Sequence, residues 1–236
     1  MRLSLLENLK PQPDAERALD NYRQLASGYD STCKRIEALR LRAIRELALR
    51  PGETVFDIAC GTGPTLPALA RAVGPEGHVV GVEMSAEMAA QAQARVRRTP
   101  GCEQVRVVHS PIESFVGEHA ADALLMCYTH DVLQSPLAID HLIAAARPGA
   151  RIVVLGMKTL PWWAGWPVNL FNLYRARRYM TTFANLDRPW RLLAERGADL
   201  REVHLALWGS AYIATGALPA RASANRIDTS HPASER

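Results

Sequence analysis

The 236 residues suffice for one large domain with its own hydrophobic core. Charged residues make up 22% and the net charge is only +4, so composition gives no reason to expect a nucleic-acid partner. The four cysteines show neither a CxxC pair nor metal-ligand spacing, which predicts no metal site and favours a reducing, cytoplasmic setting. No segment has the length and apolarity expected of a signal peptide or a transmembrane helix.

The pattern of the first 50 residues predicts an arm over 1–13 followed by two helices that could cover a binding site. The first helix is expected over about 14–26. The second begins after Ser31, a suitable N-cap, and runs to about Leu49, before Pro51 and Gly52. One stripe of the second helix carries Ile36, Leu39, Ala43 and Leu47, which predicts an amphipathic helix packed on a core.

From residue 51, apolar runs alternate with helical patterns. Strands are predicted at Thr54–Ala59, His78–Val82, Val105–His109, Ala121–Tyr128 and Arg151–Met157, and helices at 64–73, 85–98 and 136–147. Near-continuous apolar strands of this kind predict an α/β fold with a parallel sheet covered by helices on both faces. We therefore expect one domain over 51–216.

The pattern changes after the fifth strand, where residues 160–183 form an aromatic and basic insertion. Its distinctive side chains are Trp162, Trp163, Trp166, Arg175, Arg177 and Arg178. Aromatic groups beside basic ones suit a flat aromatic acceptor, an anionic headgroup or a peripheral membrane contact, although the tryptophans could also simply cover the sheet edge. A helix near 187–196 and a hairpin of strands at 200–207 and 210–216 follow, and a disordered tail is expected over 217–236.

The strongest chemical signal is the turn that follows the first strand. Asp57 lies near the end of the first strand, Gly61 and Gly63 turn the chain, and Pro64 is expected near the first position of the next helix. Glycine suits a backbone that a ligand touches, and a helix N-terminus offers free N–H groups to an anionic ligand. An ordinary tight turn is the alternative interpretation of this motif.

A second signal is Glu83, at the end of the second strand and 20 residues after Gly63. A carboxylate there can accept hydrogen bonds from both hydroxyls of a ribose, which points to a nucleoside-containing cofactor. The dinucleotide pattern GxGxxG would place a third glycine where this chain has Leu66. A pyrophosphate clamp is therefore less well supported.

These motifs resemble those of the class I S-adenosylmethionine-dependent methyltransferases, over about residues 20–216. Asp57, Gly61 and Gly63 match the family's first motif, with Ala59 where the family usually has glycine. The run from Gly81 to Met88 resembles its second-strand motif. The resemblance implies a Rossmann-like, seven-stranded, mostly parallel sheet with a C-terminal antiparallel hairpin. It also implies that Gly61 and Gly63 border the amino-acid end of S-adenosylmethionine, that Glu83 binds the ribose and that Met84 packs on the adenine.

Two further strand ends complete the expected cofactor site. After the third strand the family often has an acid that accepts the adenine amino group, but this chain has Pro111 there. Ser110 or a backbone carbonyl, or packing on Ile112, must then replace that acid. The run from Cys127 to Asp131 lies at the carboxyl end of the fourth strand. Its side chains, with Cys127 and Tyr128 as predicted cofactor contacts, should face the methyl group because open parallel sheets bind ligands at this edge.

The candidate catalytic residues are His130 and Tyr29. His130 lies just beyond the fourth strand and carries a side chain that can accept a proton near neutral pH, although it and Asp131 could also simply start the next helix, with Asp131 as its N-cap. Tyr22 to Asp30 resembles the opening of the ubiquinone/menaquinone-type and phospholipid-type methylases, whose tyrosine lies near the cofactor carboxylate or the acceptor. The alternative is two ordinary amphipathic tyrosines.

The leading hypothesis is therefore a methyltransferase with a small-molecule or lipid-like acceptor, methylated on nitrogen or oxygen. The absence of an acid/Asn-Pro-Pro-aromatic signature after the fourth strand argues against methylation of nucleic-acid bases. Two other classes stay open: a non-catalytic cofactor-binding protein on the same fold, and a nicotinamide-dependent oxidoreductase.

Overall fold

A computed structural model describes residues 10–25 and 36–220. Seven strands form a single sheet in the order β3-β2-β1-β4-β5-β7-β6. Their bounds are Thr54–Ile58 (β1), His78–Glu83 (β2), Val105–His109 (β3), Ala121–Cys127 (β4), Ala146–Met157 (β5), Asp199–Ala206 (β6) and Ala211–Ala217 (β7). β7 pairs antiparallel with both β5 and β6, while β1 to β5 pair in parallel. The predicted fold, including its closing hairpin, is confirmed.

Helices cover both faces of this sheet. Their bounds are Ala15–Leu25 (α1), Glu37–Glu46 (α2), Leu66–Val73 (α3), Ala86–Arg98 (α4), His130–Leu133 (α5), Pro136–Ala145 (α6), Trp162–Ala176 (α7) and Arg191–Glu195 (α8). No helix in the described ranges is both long and apolar enough to cross a bilayer.

Alternating side chains of the central strands supply two cores. In β1, Phe56 and Ile58 pack on the face that α6 and α8 cover, and Val55 packs on the face that α2 and α3 cover. Successive strand residues point to opposite faces, so Asp57 lies on the same side as Val55. That alternation places one carboxylate under α3 while its neighbours fill the opposite core.

One expectation about the helices needs correction, and two other expectations fall outside the described residues. α3 begins at Leu66 with Thr65 at the N-cap and Pro67 in its first turn, so Pro64 precedes the helix. Thr65 donates its hydroxyl hydrogen bond to Asp57 instead of capping the helix, which anchors the helix start two residues later than predicted. The proposed N-cap Ser31 and the predicted tail beyond residue 220 are not described.

Candidate functional site

The glycine-containing turn after β1 is held in left-handed backbone conformations. Ala59 has φ 50°, Gly61 has φ 59° and Gly63 has φ 72°. The Cys60 amide donates to the carbonyl of Val82 on the adjacent strand at 3.0 Å, which fixes the turn to the carboxyl edge of the sheet. Glycine adopts such conformations without strain, whereas alanine at φ 50° costs roughly 1–2 kcal/mol. The turn therefore keeps a tight shape even where the family's usual glycine is replaced.

Asp57 lies buried beneath this turn. Its carboxylate accepts a hydrogen bond from the Thr65 hydroxyl at the start of α3. Burial raises its pKa to about 7, and the Thr65 hydrogen bond and the buried Arg40 guanidinium oppose that rise. Asp57 therefore supports the turn from below instead of lining the open space above it.

Glu83 ties the turn to the start of α4. One carboxylate oxygen accepts from the Gly61 amide at 2.9 Å and the other from the Ser85 amide at 2.8 Å. Burial raises the pKa of Glu83, while these backbone donors lower it. Each carboxylate oxygen can accept more than one hydrogen bond, so Glu83 keeps acceptor capacity for further donors.

Above these residues lies a small cavity of about 70 Å³. Its walls include Ala59, Gly61, Glu83 and Met84 from the ends of β1 and β2, and Cys127 from the end of β4. Ala18 and Tyr22 of α1 cover it. Residues that the sequence predicted to bind one cofactor are therefore brought together at one edge of the sheet.

A large cavity of about 270 Å³ adjoins the small one. Its lining is mainly apolar and comes from the ends of β4, β5 and β7 and from α7, including Leu155, Met157, Ala176 and Tyr212. Five residues border both cavities and are called the shared wall: Tyr22, Tyr128, Thr129, His130 and Tyr179. A group bound in one cavity would thus approach a group in the other across these side chains.

His130 is buried in the shared wall. Burial lowers its pKa to about 4, and the backbone of Ala184 offsets this effect only in part. Neither ring nitrogen completes a hydrogen bond within the described part of the chain, and neither does the buried hydroxyl of Thr129. The expectation that His130 titrates near neutral pH is wrong for this structure because its ring is desolvated. Buried polar atoms of this kind normally find a partner, which a bound ligand can provide.

Asp131 fastens the cover of the site and does not cap α5. Its carboxylate accepts from the backbone amide of Thr181 at 2.9 Å and from the hydroxyl of the same residue at 2.7 Å. That hydroxyl oxygen also accepts from the amide of Asp14, just before α1. The Tyr22 hydroxyl donates to the carbonyl of Tyr179 at 2.9 Å. The N-terminal helix and the insertion therefore close over the cavities as one connected cover.

The other predicted site residues divide into three groups. Gly63 does not line the small cavity; an added Cβ there would lie 2.7 Å from Leu66 and 3.0 Å from Ala92, so its role is close packing of α3 and α4. Ser110, Pro111 and Ile112 follow β3, where Ser110 donates to the Glu83 carbonyl, but they line neither cavity as it stands. Tyr29 and Asp30 lie outside the described residues.

Sequence reasoning missed one residue of the shared wall. Thr129 belongs to the run from Cys127 to Asp131 that was expected to face the methyl group, whereas Tyr179 was seen only as part of the insertion 160–183. Tyr179 reaches the site because the chain returns to the end of β4 after the insertion. An aromatic residue at the end of the insertion was the single available signal for Tyr179.

The sequence is similar to a known family and to several curated proteins. Residues 55–149 match the model of a family described as "Methyltransferase domain". A demethylmenaquinone methyltransferase of Bacillus cytotoxicus is 28% identical over 151 residues, which are 61% of this chain and 63% of that protein. The corresponding protein of Staphylococcus aureus is 29% identical over 129 residues, 52% of this chain and 51% of the relative. The chain thus spans less than two thirds of the length of these relatives.

Solved structures share the fold at lower identity. A SAM-dependent methyltransferase from Aquifex aeolicus is 20% identical with a TM-score of 0.60, covering 85% of this chain and 98% of that one. At these identities the likeness concerns the fold, and it agrees with the strand order and the closing hairpin described above.

Proposed function

We propose that this chain, whose residues 55–149 match the methyltransferase domain family, transfers the methyl group of S-adenosylmethionine to a small-molecule or lipid-like acceptor. One observation carries the proposal. Two cavities meet at the carboxyl edge of β4, one lined by the glycine turn and Glu83 and the other mainly apolar, and they share a wall. A donor and an acceptor can therefore occupy adjacent sites on either side of that wall.

The residues of the small cavity fit S-adenosylmethionine. The carboxylate of Glu83 is an acceptor with spare capacity, which suits ribose hydroxyl donors. The backbone at Gly61 has no side chain to obstruct an approaching ligand. Met84 lies beside Glu83 in the same wall, where it can pack on an adenine ring. The buried polar atoms of Thr129 and His130 would gain partners from bound molecules.

The size of the small cavity bears on how the cofactor enters beneath the cover. A space of about 70 Å³ is narrow for a nucleoside, and Ala18 and Tyr22 of α1 close it. Admission of the cofactor then requires α1 to move, which the exposed ion pair of Arg23 with Glu87 at 3.3 Å resists only weakly.

When bound, S-adenosylmethionine supplies a methyl group that is already activated on a sulfonium centre. The chain's own task is then to align the acceptor and exclude water, and such positioning can supply about 7–11 kcal/mol in favourable cases. His130 is neutral at pH 7 because its pKa lies near 4, so its ring can accept a hydrogen bond from an acceptor hydroxyl or amine. We assign it to orienting the acceptor, with Tyr29 as the partner suggested by the sequence.

Two measurements test this function together. Titration calorimetry should detect binding of S-adenosylmethionine and none of NAD, which separates a methyltransferase from a nicotinamide-dependent oxidoreductase. Incubation with metabolite extracts should then release S-adenosylhomocysteine. Cofactor binding without turnover on any aqueous or lipid extract would favour the non-catalytic alternative.

A further inference from the structure

The outer face of α7 is the largest group of exposed aromatic side chains in the described residues. Its solvent-facing members are Trp162, Trp163, Trp166, Leu170, Phe171 and Tyr174. Trp163 is 89% exposed. The inner face of the same helix buries Gly165, Asn169 and Ala176 against the body of the protein. An exposed apolar patch on the opposite face of such a helix marks an interaction site, so a partner is expected there.

A second exposed apolar element lies beside the start of α7. The turn between β6 and β7 presents Leu207 and Trp208, and Trp208 is 94% exposed. Both residues adopt positive φ, 49° and 61°, a conformation that is costly for bulky side chains. The chain therefore holds an indole outward at an energetic cost.

Leu160 joins these two elements into one surface. An added Cβ at Gly165 of α7 would lie 2.3 Å from the Leu160 Cβ, and one at Gly209 of the turn would lie 3.2 Å from the Leu160 Cδ2. The buried Asn169 side chain fixes Leu160 through two hydrogen bonds of 2.9 Å. The Leu160 amide donates to Asn169 Oδ1, and Asn169 Nδ2 donates to the Leu160 carbonyl. The exposed side chains of α7 and of the turn thus form one aromatic surface on a rigid support.

The α7 segment of the aromatic surface carries charge of one sign. Residues 159–186 contain three basic side chains, Arg175, Arg177 and Arg178, and no acidic one. Arg175 lies over the ring of Phe171 at 5.7 Å, and Arg177 lies over the ring of Tyr174 at 3.5 Å. Exposed indoles edged by arginines match the interfacial zone of an anionic bilayer, where rings sit at headgroup depth and cations meet lipid phosphates.

The large cavity reaches this same surface. Asn172, Arg175 and Ala176 of α7 and Leu207 of the turn all line it. Leu207 is at once cavity lining and exposed surface, so the cavity extends to the boundary between α7 and the turn. The apolar acceptor space is therefore continuous with the exposed aromatic surface.

We infer that the aromatic surface docks on an anionic membrane and that the acceptor enters the large cavity from the bilayer, as an amphiphile with an apolar body. This inference rests on the proposed function for the identity of the acceptor site. The membrane contact itself rests on the exposed rings, the arginines and the continuity of the cavity. The helix lies in the interface, in keeping with its 15 residues, which are too few to span.

Co-sedimentation of the full chain with vesicles at low salt tests the contact. The chain should bind vesicles that contain phosphatidylglycerol and bind pure phosphatidylcholine vesicles more weakly. The variant Trp163→Ser with Trp208→Ser should bind at least about tenfold more weakly, because two interfacial indoles are lost. The matched control changes Val116, which is 87% exposed, and Leu137, both outside the aromatic surface, to serine. That control should bind as the unaltered chain does, and thermal melting should show both variants folded.

Several outcomes would overturn the inference. They are an absence of vesicle binding at low salt, equal loss in the Val116 and Leu137 control, or a concentration-dependent dimer whose formation protects the indoles from a soluble quencher. Calorimetry with S-adenosylmethionine on the same samples separates the two proposals. Cofactor binding without vesicle binding refutes only the membrane docking, and vesicle binding without cofactor binding refutes only the methyltransferase function. Turnover on a lipid extract but not on an aqueous one would support the entry of the acceptor from the bilayer.

Discussion

The two cavities are built in opposite ways although they share a wall. The small cavity has one side formed by the ends of β1 and β2, and backbone hydrogen bonds to Glu83 hold that side in shape. The large cavity gathers α7, the ends of β5 and β7, and the residues after β4, and apolar packing holds most of it. The β1–β2 side of the small cavity depends on short stretches of sequence, whereas the large cavity depends on the meeting of distant segments.

This difference affects which amino-acid substitutions each cavity can tolerate. A hydrogen-bonded turn tolerates few substitutions, because each donor that loses its buried partner costs about 1–3 kcal/mol. An apolar lining accepts other side chains of similar volume at lower cost. We therefore expect the small cavity to fix the cofactor, while the lining of the large cavity sets the choice of acceptor.

The largest expected effect is on folding stability, to which His130 at the shared wall and Asp57 beneath the small cavity contribute with opposite dependence on pH. The His130 pKa falls from its ordinary 6.5 to about 4, so protonation favours the unfolded chain, and stability is lost as pH drops from 6.5 through 4. Over that window the loss from His130 is about 3 kcal/mol. The Asp57 pKa rises from 3.8 to about 7, so its contribution is present at low pH and is lost as pH rises through 7.

Urea unfolding across pH measures both contributions. His130→Asn should weaken the loss of stability as pH falls from 6.5 to 4, and Asp57→Asn should weaken the loss of stability as pH rises from 3.8 to 7. Each asparagine keeps a polar side chain without a charge that titrates. Identical pH profiles for all three proteins would show that neither buried group has the shifted pKa.

The next effect concerns cofactor affinity in the small cavity. Glu83→Ala removes a charged acceptor that we place on the ribose, and loss of such hydrogen bonds should cost about 1.5–3 kcal/mol in the binding free energy of S-adenosylmethionine. Calorimetry measures it, with Glu76→Ala on the exposed turn before β2 as the control. Unchanged affinity in Glu83→Ala would remove Glu83 from the ribose site.

A smaller effect is expected at the shared wall. His130→Ala should raise the acceptor KM about tenfold or less, with cofactor affinity retained, because an orienting hydrogen bond to a neutral ring contributes roughly 0.5–1.5 kcal/mol. The control His141→Ala changes an exposed histidine of α6 and should have no effect. A kcat loss of about a hundredfold or more, together with a rate of the unaltered chain that falls as pH drops through the His130 pKa of about 4, would instead identify His130 as a general base.

The smallest effect tests the strained turn. Ala59→Gly relieves an alanine at φ 50° and should raise the free energy of unfolding by at most about 1 kcal/mol, because the gain is offset by the greater freedom of glycine in the unfolded chain. Ala48→Gly, at φ 47° and outside both cavities, is the matched control and should stabilise to a similar extent. Destabilisation of Ala59→Gly alone would mean that the Ala59 methyl packs productively in the wall.

Much of the small cavity could be predicted because its determinants are close in the chain. Apolar runs defined β1 and β2, the glycines marked the turn, and the spacing to Glu83 placed a carboxylate beside it. The same reasoning misjudged Gly63, since only the packed structure shows Leu66 and Ala92 against it. It also placed Pro64 in α3, because the competition of Asp57 for the Thr65 hydroxyl is a tertiary contact.

The sequence by itself determined which segments form strands and helices, and it determined the chemistry at the ends of β1 and β2. Both depend on hydrophobic periodicity and glycine placement, which act over a few residues. Tertiary structure alone decided the rest. It buried His130 and so lowered its pKa, it brought Tyr179 to Tyr22 across 157 positions, and it set Trp208 beside α7. Desolvation and long-range packing depend on which segments meet, and no local pattern in the chain encodes those meetings.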